Sequence, residues 1–477
     1  MGLKRKTISG LGWSSIAQAW KQITQFIVTA ILARLLSPDD FGLVAMATVF
    51  TNLATIFADS GISGSLVQKQ DCTERHYSSA FWLNIIVGLL LTIILILSAP
   101  LIAAFYKKPE LKHILTVISF NFVLSSFTLI QSAILSKKLE FKKLAIRDIS
   151  ALFGSGLIGV GMAYSGFGVW SIVCQILSFT LFNAILLWGL SPWRPKFEFA
   201  KSDIKDIFHF SSHLTGSNIV NYFARNIDKL LIGKFLGAQA LGYYSLAYKI
   251  MLYPLENITT VLTKVMFPVL SSIQDRIDKV RKTYLVIIKT ISLITFPMMS
   301  CLFILTAEII AVFLGDKWTP IIPILKIFCL TGAIQSIGSP IGIILFSQGK
   351  AELQFKLGIL GSLSAAITIL IGLNFGITGV AVFYSLGSVL IISYILNIVN
   401  KLIYLKNKEY LYNLKHSFYI SIILLLALAI LNKVISLPTF YKLITVSIIG
   451  FVIYISFILR VKIIRINNWK ITTNILH

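Results

Sequence analysis

Apolar runs of about 20 residues follow one another almost without pause from Trp13 to Leu459. That is the length a helix needs to cross the hydrocarbon of a bilayer. Inside hydrocarbon every backbone N–H and C=O has to be paired, and a helix pairs them within one segment. The runs therefore predict fourteen spans, near 13–36, 41–66, 79–105, 114–135, 146–165, 167–190, 208–233, 241–267, 284–314, 321–346, 356–374, 376–400, 416–435 and 440–460. The expected fold class is an all-α integral membrane protein. The connectors are short and leave no room for a soluble catalytic or binding domain. Any site has to lie between helices.

Charge fits this reading. The formal net charge is +24 in a chain that is 56% hydrophobic. In a soluble protein such a balance would suggest nucleic acid. In a polytopic chain it reflects Lys and Arg collecting in cytoplasmic loops. Clusters such as Lys4-Arg5-Lys6, Lys137-Lys138, Lys142-Lys143 and Arg281-Lys282 alternate with connectors that carry few cations. The asymmetry places both termini in the cytoplasm. The first span continues into further spans, so it reads as a retained anchor and not as a cleaved signal.

Within this apolar background some helices are polar along one side. In Leu214–Ile232 the residues Asn218, Asn221, Tyr222, Arg225 and Lys229 recur at helical spacing. A charge near the middle of a membrane helix costs roughly 2.5–3.5 kcal/mol on insertion scales. Such a residue usually faces a water-filled cavity or a partner. Two hundred positions earlier, Gln18, Lys21, Gln22, Gln25 and Thr29 form a matching face. The two segments end alike, in Leu36-Ser-Pro-Asp-Asp-Phe-Gly42 and Leu236-Gly-Ala-Gln-Ala-Leu-Gly242. Two polar-faced helices at one offset suggest two lobes around a shared cavity. The second span adds Thr48, Asn52, Thr55 and Asp59. The eighth adds Lys249, Tyr253, Glu256, Asn257, Thr260 and Lys264. Asp59 and Glu256 are the acidic candidates for coupling to H+ or Na+, or else they pair with a neighbouring cation. Asp228, one turn from Arg225, offers a local ion pair. The alternative for each polar residue is a bond that glues helices together.

Other motifs point away from chemistry. Gly154-Ser-Gly156-Leu-Ile-Gly159 matches GxGxxG, but it lies inside an apolar span. With Ala151, Ser155 and Ala163 it reads as a close-packing face. His209 and His213 stand four apart with no third ligand, so no metal is expected. Cys72, Cys174, Cys301 and Cys329 form no CxxC pair. Nothing in the spacing calls for a cofactor or a catalytic set.

The segment from Arg34 through Gly42 to Ala45, and the later Ala58-Asp-Ser-Gly-Ile-Ser-Gly-Ser-Leu-Val-Gln68, resemble the first-loop signature of polysaccharide flippases. These carriers belong to the multidrug/oligosaccharidyl-lipid/polysaccharide exporter superfamily, and the likeness is to its Wzx-type, colanic-acid-like branch. The resemblance implies two six-helix lobes related by a pseudo-two-fold axis, with a central cavity lined by spans one, two, seven and eight. On that pattern the lobes are residues 1–200 and 201–402, and 403–477 form a C-terminal helix pair with its tail. The implied partners are an isoprenoid-diphosphate-linked oligosaccharide, membrane lipids, H+ or Na+ as coupling ion, and the polysaccharide polymerase machinery; nucleic acid is not among them. Lys21, Arg225, Lys229 and Lys249 would then meet the diphosphate. Gln18, Gln22, Gln25, Asn52, Asn218, Asn221, Tyr222 and Asn257 would meet sugar hydroxyls. The location is the cytoplasmic membrane, and no bond is made or broken. Rival functions on the same fold are a multidrug:cation antiporter and a lipid-linked peptidoglycan-precursor flippase. A membrane polymerase or glycosyltransferase would need a large outside loop or an acidic metal-binding loop, and neither is present in the sequence.

Overall fold

The computed structural model describes residues 3–59, 64, 66, 72–460, 465–467 and 470–472. The side chains of 3–17, 19, 59, 201–221, 223–225, 260, 261, 263, 264, 460, 465–467 and 470–472 lie outside that description. Helix follows helix: α1 Leu3–Leu35, α2 Pro38–Asp59, α3 Glu74–Tyr106, α4 Glu110–Ser126, α5 Leu129–Lys137, α6 Phe141–Tyr164 and α7 Trp170–Leu190. Then come α8 Lys201–Ser272, α9 Ile277–Ile304, α10 Thr306–Ile309, α11 Ile321–Gly338, α12 Ile341–Ser347, α13 Ala351–Leu373, α14 Gly376–Leu402, α15 Asn407–Val434 and α16 Thr439–Arg460. A short antiparallel pair, Arg465–Asn467 with Lys470–Thr472, follows.

Among the described residues, eleven helices are long and apolar enough to cross a membrane. The other three predicted spans fall on α1 and on the two arms of α8. Those helices run for 33 and 72 residues, so length does not set them apart. They are the segments that carry the polar faces.

The chain forms two compact units, Met1–Gly242 and Tyr243–His477. In the first, α3 pairs with α4, α4 with α7, α6 with α7, and α1 lies along α6. In the second, α9 pairs with α11, α11 with α14, and α13 with α14. The same order of pairing thus recurs in each unit. The second adds α15 along α9 and α16 beside α15. The arm 201–236, which the sequence pattern groups with the second lobe, is counted with the first unit.

Two breaks in the helices and one internal proline leave backbone groups to be satisfied. At 127–128 the predicted fourth span divides into α4 and α5. The Thr128 hydroxyl donates to the Ser125 carbonyl at 2.7 Å, offering the backbone an alternative to the helix. The freed Ser126 carbonyl accepts from Asn84 Nδ2 at 3.2 Å, and Ser126 Oγ donates to the Asn84 carbonyl at 3.0 Å. The second break, at Gly237, has φ 85° and ψ −178°. That region is open essentially to glycine alone. Pro297 lies inside α9 without ending it. Proline has no N–H, so the carbonyl four residues back loses its helical partner. That carbonyl belongs to Leu293, and it accepts the Tyr454 hydroxyl of α16 at 2.9 Å.

The start of α2 explains the Ser-Pro-Asp-Asp motif. Ser37 Oγ accepts the Asp40 N–H at 3.2 Å, and Asp40 Oδ2 accepts the Ser37 N–H at 2.9 Å. This is a reciprocal capping box with proline at the first helical position. One turn on, Gly42 faces the backbone of Ala238. A Cβ at Gly42 would stand 1.8 Å from the Ala238 carbonyl oxygen, and one at Gly242 would stand 2.0 Å from that of Pro38. Pro38 and Ala238, like Gly42 and Gly242, are 200 positions apart. The contact is reciprocal: each glycine meets the carbonyl at the start of the other's helix.

Candidate functional site

Polar side chains gather within each unit. Val28 and Leu32 of α1, with Leu36 just past its end, are buried together with Ala163 and Ile172. Gln18 is exposed on the same helix, and Lys21, Gln22, Gln25 and Thr29 are half-buried. Among the described residues Lys21 has no ion-pair partner. On α2, Asn52 is exposed while Thr48 and Thr55 turn back onto the carbonyls of Ala45 and Thr51.

The first arm of α8 is bonded to α2 through Tyr222, whose hydroxyl donates to the Val49 carbonyl. One turn later Asn226 Nδ2 donates to the Tyr222 carbonyl at 3.0 Å, and Lys229 Nζ donates to Asn226 Oδ1 at 3.0 Å. The Lys229 partner is a neutral amide, which orients the ammonium without cancelling its charge. Asp228 is buried and accepts the backbone N–H of Lys229 at 2.8 Å. The structure thus joins Tyr222 and Lys229 in one line. Asn226 was missed, since its i, i+3 relation to Lys229 is common to many helical pairs. The side chains of Asn218, Asn221, Arg225, Asp59, His209 and His213 lie outside the described residues.

In the second unit Lys249 and Glu256 are exposed, two turns apart on one helix, and among the described residues neither has an ion-pair partner. Asn257 is half-buried and donates to the Tyr253 carbonyl at 2.8 Å. Beside Lys249 lies a network with no counterpart in the expected residue set. The hydroxyls of Tyr248 and Tyr384 are 3.2 Å apart, and Gln335 Nε2 donates to the Tyr384 hydroxyl at 3.3 Å. Tyr248 also stacks on Tyr244, and both rings meet Phe328 edge-on. Its three polar members sit on three helices and share no local spacing.

Other sequence readings can be placed. Gly156 lies against Val28 of α1 and Gly159 against Gln175 of α7, so GxGxxG is a packing face. The four cysteines are free. Among the described residues no group of His, Cys, Asp and Glu could hold a metal.

The arrangement is that of a many-span helical carrier, with polar and cationic groups on helices otherwise built of carbon. The fold matches that of the lipid II flippase MurJ in an inward closed conformation, with a TM-score of 0.76 at 19% identity, over 94% of this chain and 99% of that one. Residues 31–323 match the polysaccharide biosynthesis protein family, and the chain belongs to that family. Among its relatives, the teichuronic acid biosynthesis protein TuaB of Bacillus subtilis is 30% identical over 74% of each chain. The lipopolysaccharide biosynthesis protein WzxC of Escherichia coli is 28% identical over 88% of this chain and 87% of its own.

Proposed function

We propose that this protein carries a lipid-diphosphate-linked oligosaccharide, the repeat unit of a surface polysaccharide, across the cytoplasmic membrane. The observation that carries the reading is the state of the lysines. Lys21 and Lys249 sit on span helices without acidic partners among the described residues, and Lys229 is held by an amide. A cation at that depth is costly unless water or an anion meets it. Membership of a polysaccharide biosynthesis family supports a lipid-linked sugar as cargo, and the anion assigned to the lysines is its diphosphate.

The headgroup is large, polar and charged, so bare hydrocarbon excludes it. Arg225 suits bidentate contact with phosphate oxygens, and the lysines act as point charges. Gln18, Gln22, Gln25, Asn52 and Tyr222 supply hydrogen bonds for hydroxyls, and Asn218, Asn221 and Asn257 complete the proposed set. The two lobes, 1–200 and 201–402, would rock to expose the site to either side in turn, with 403–477 as an appended pair. Asp59 and Glu256 are the proposed coupling sites for H+ or Na+. Both termini face the cytoplasm, the polymerase machinery receives the cargo, and no covalent bond changes.

The test is Lys21→Ala, with Arg225→Ala beside it, in cells that depend on this gene for surface polysaccharide. A hydrogen bond to a charged group is worth about 1.5–3 kcal/mol, which is tenfold or more in apparent affinity. Export is expected to fall by that factor with protein abundance unchanged. Full export in both variants refutes the cationic site. Altered susceptibility to cationic drugs with intact polysaccharide assigns the protein to drug export instead.

A further inference from the structure

The second unit contains a cavity that the cargo reading does not use. Helices α9, α11 and α15 are tied together by two buried hydroxyl pairs, Ser292 with Ser417 and Thr295 with Ser336, each at 2.8 Å. Immediately beyond lies Pro297 of α9, and a space remains between the three helices. The space between them is about 640 Å³, within the range of built small-molecule pockets. Phe296, Met299 and Phe303 line it from α9, Ala333 from α11, and Phe418 and Ile422 from α15. Met299 is buried at the back, while Leu330, Phe418 and Ile422 are exposed at the rim. Exposed carbon on spans of this hydropathy meets lipid, so the cavity opens sideways into the bilayer.

Lys415 is the charged residue of the lining. Its Nζ sits 3.5 Å from the centre of the Tyr412 ring. His416 stands within electrostatic reach of both Lys415 and Lys289. Among the described residues none of the three has an acidic partner. An apolar slot with an uncompensated cationic mouth is complementary to one kind of molecule, a hydrocarbon chain ending in an anion.

We infer that this cavity binds an anionic phospholipid of the surrounding membrane, one acyl chain lying between α9, α11 and α15 and the phosphate at Lys415 and Lys289. The volume favours a single acyl chain over a polyisoprenoid tail, which is several times bulkier. The lysines set the depth of the headgroup. The inference concerns binding alone and stands apart from the transport reading.

Native mass spectrometry of the full-length protein, delipidated and then offered phosphatidylglycerol, phosphatidylethanolamine or an isoprenyl phosphate at equal concentration, tests it. One phosphatidylglycerol should be retained in preference to phosphatidylethanolamine. Lys415→Gln should reduce that preference about fivefold, the weight of one lysine near an anionic lipid surface. Ala333→Phe, which fills the slot, should abolish retention of both. Ile422→Trp blocks the rim without adding bulk at the back, and serves where the first filling variant does not fold. Equal retention of the two phospholipids overturns the inference. So does unchanged preference in Lys415→Gln, or displacement of phosphatidylglycerol by the isoprenyl phosphate.

Discussion

Alanine at Gly42 should destabilise the protein, and the sign is the informative part. In an open helix position Gly→Ala stabilises by roughly 0.5–1 kcal/mol, since glycine loses more freedom on folding. At Gly42 the new Cβ would lie 1.8 Å from the Ala238 oxygen, 2.4 Å from its carbonyl carbon and 2.9 Å from its Cα. All three atoms are backbone, so no side chain can rotate away. The helices must part by more than an ångström, and overpacking of this kind costs about 1–3 kcal/mol. The net expectation is a loss of about 1–2 kcal/mol where the helix rule alone predicts a gain. Because Gly242 meets Pro38 across the same seam, one separation relieves both clashes. Gly42→Ala combined with Gly242→Ala should therefore cost clearly less than the sum of the two. Thermal unfolding of the purified variants measures the sign and the coupling, and hydrogen exchange at 37–44 and 236–244 locates the opening. Unchanged or raised stability in Gly42→Ala, or strict additivity in the double variant, would refute the argument.

Further outcomes are expected at three sites. Tyr454→Phe leaves the Leu293 carbonyl orphaned and should cost about 1–3 kcal/mol; adding Pro297→Ala restores an N–H and should recover much of it, read by the same melts. Ser37→Ala removes the cap of α2 and should cost about 0.5–2 kcal/mol, with faster hydrogen exchange confined to the first turn after Pro38. Tyr384→Phe removes the acceptor for Gln335 and the partner of Tyr248, and on the proposed reading should lower export while leaving the melting temperature within a degree or two. Equal losses of stability and export there would assign the network to packing.

Much of the helical frame was legible because hydrocarbon imposes so few solutions: a long apolar run is a helix or it is not in the membrane. The breaks were less so. Pro297 announces itself, but at 127–128 the carbonyl that the helix releases is met by Asn84, more than forty residues away. The stripes on α1 and α8 were visible because their members share a helix and its period. The Tyr248–Tyr384–Gln335 network was not, since residues 136 and 49 positions apart announce no common face. Lys249 is among the expected site residues, and its neighbour Tyr248 is not. The 200-residue echo between Pro38-to-Gly42 and Ala238-to-Gly242 was seen as a likeness, whereas the structure shows it as a contact.

The tyrosine that meets the carbonyl freed by Pro297 has a practical consequence for anyone mapping which side of the membrane each connector faces. The usual approach fuses a reporter after successive truncations. A chain stopped between α15 and α16 would keep the proline and lose the hydroxyl, leaving a bare oxygen in oil. Such a fusion invites misplacement of the very helix it was built to locate. Reporters inserted into the intact chain, with Tyr454 still in place, avoid reading that artefact as topology.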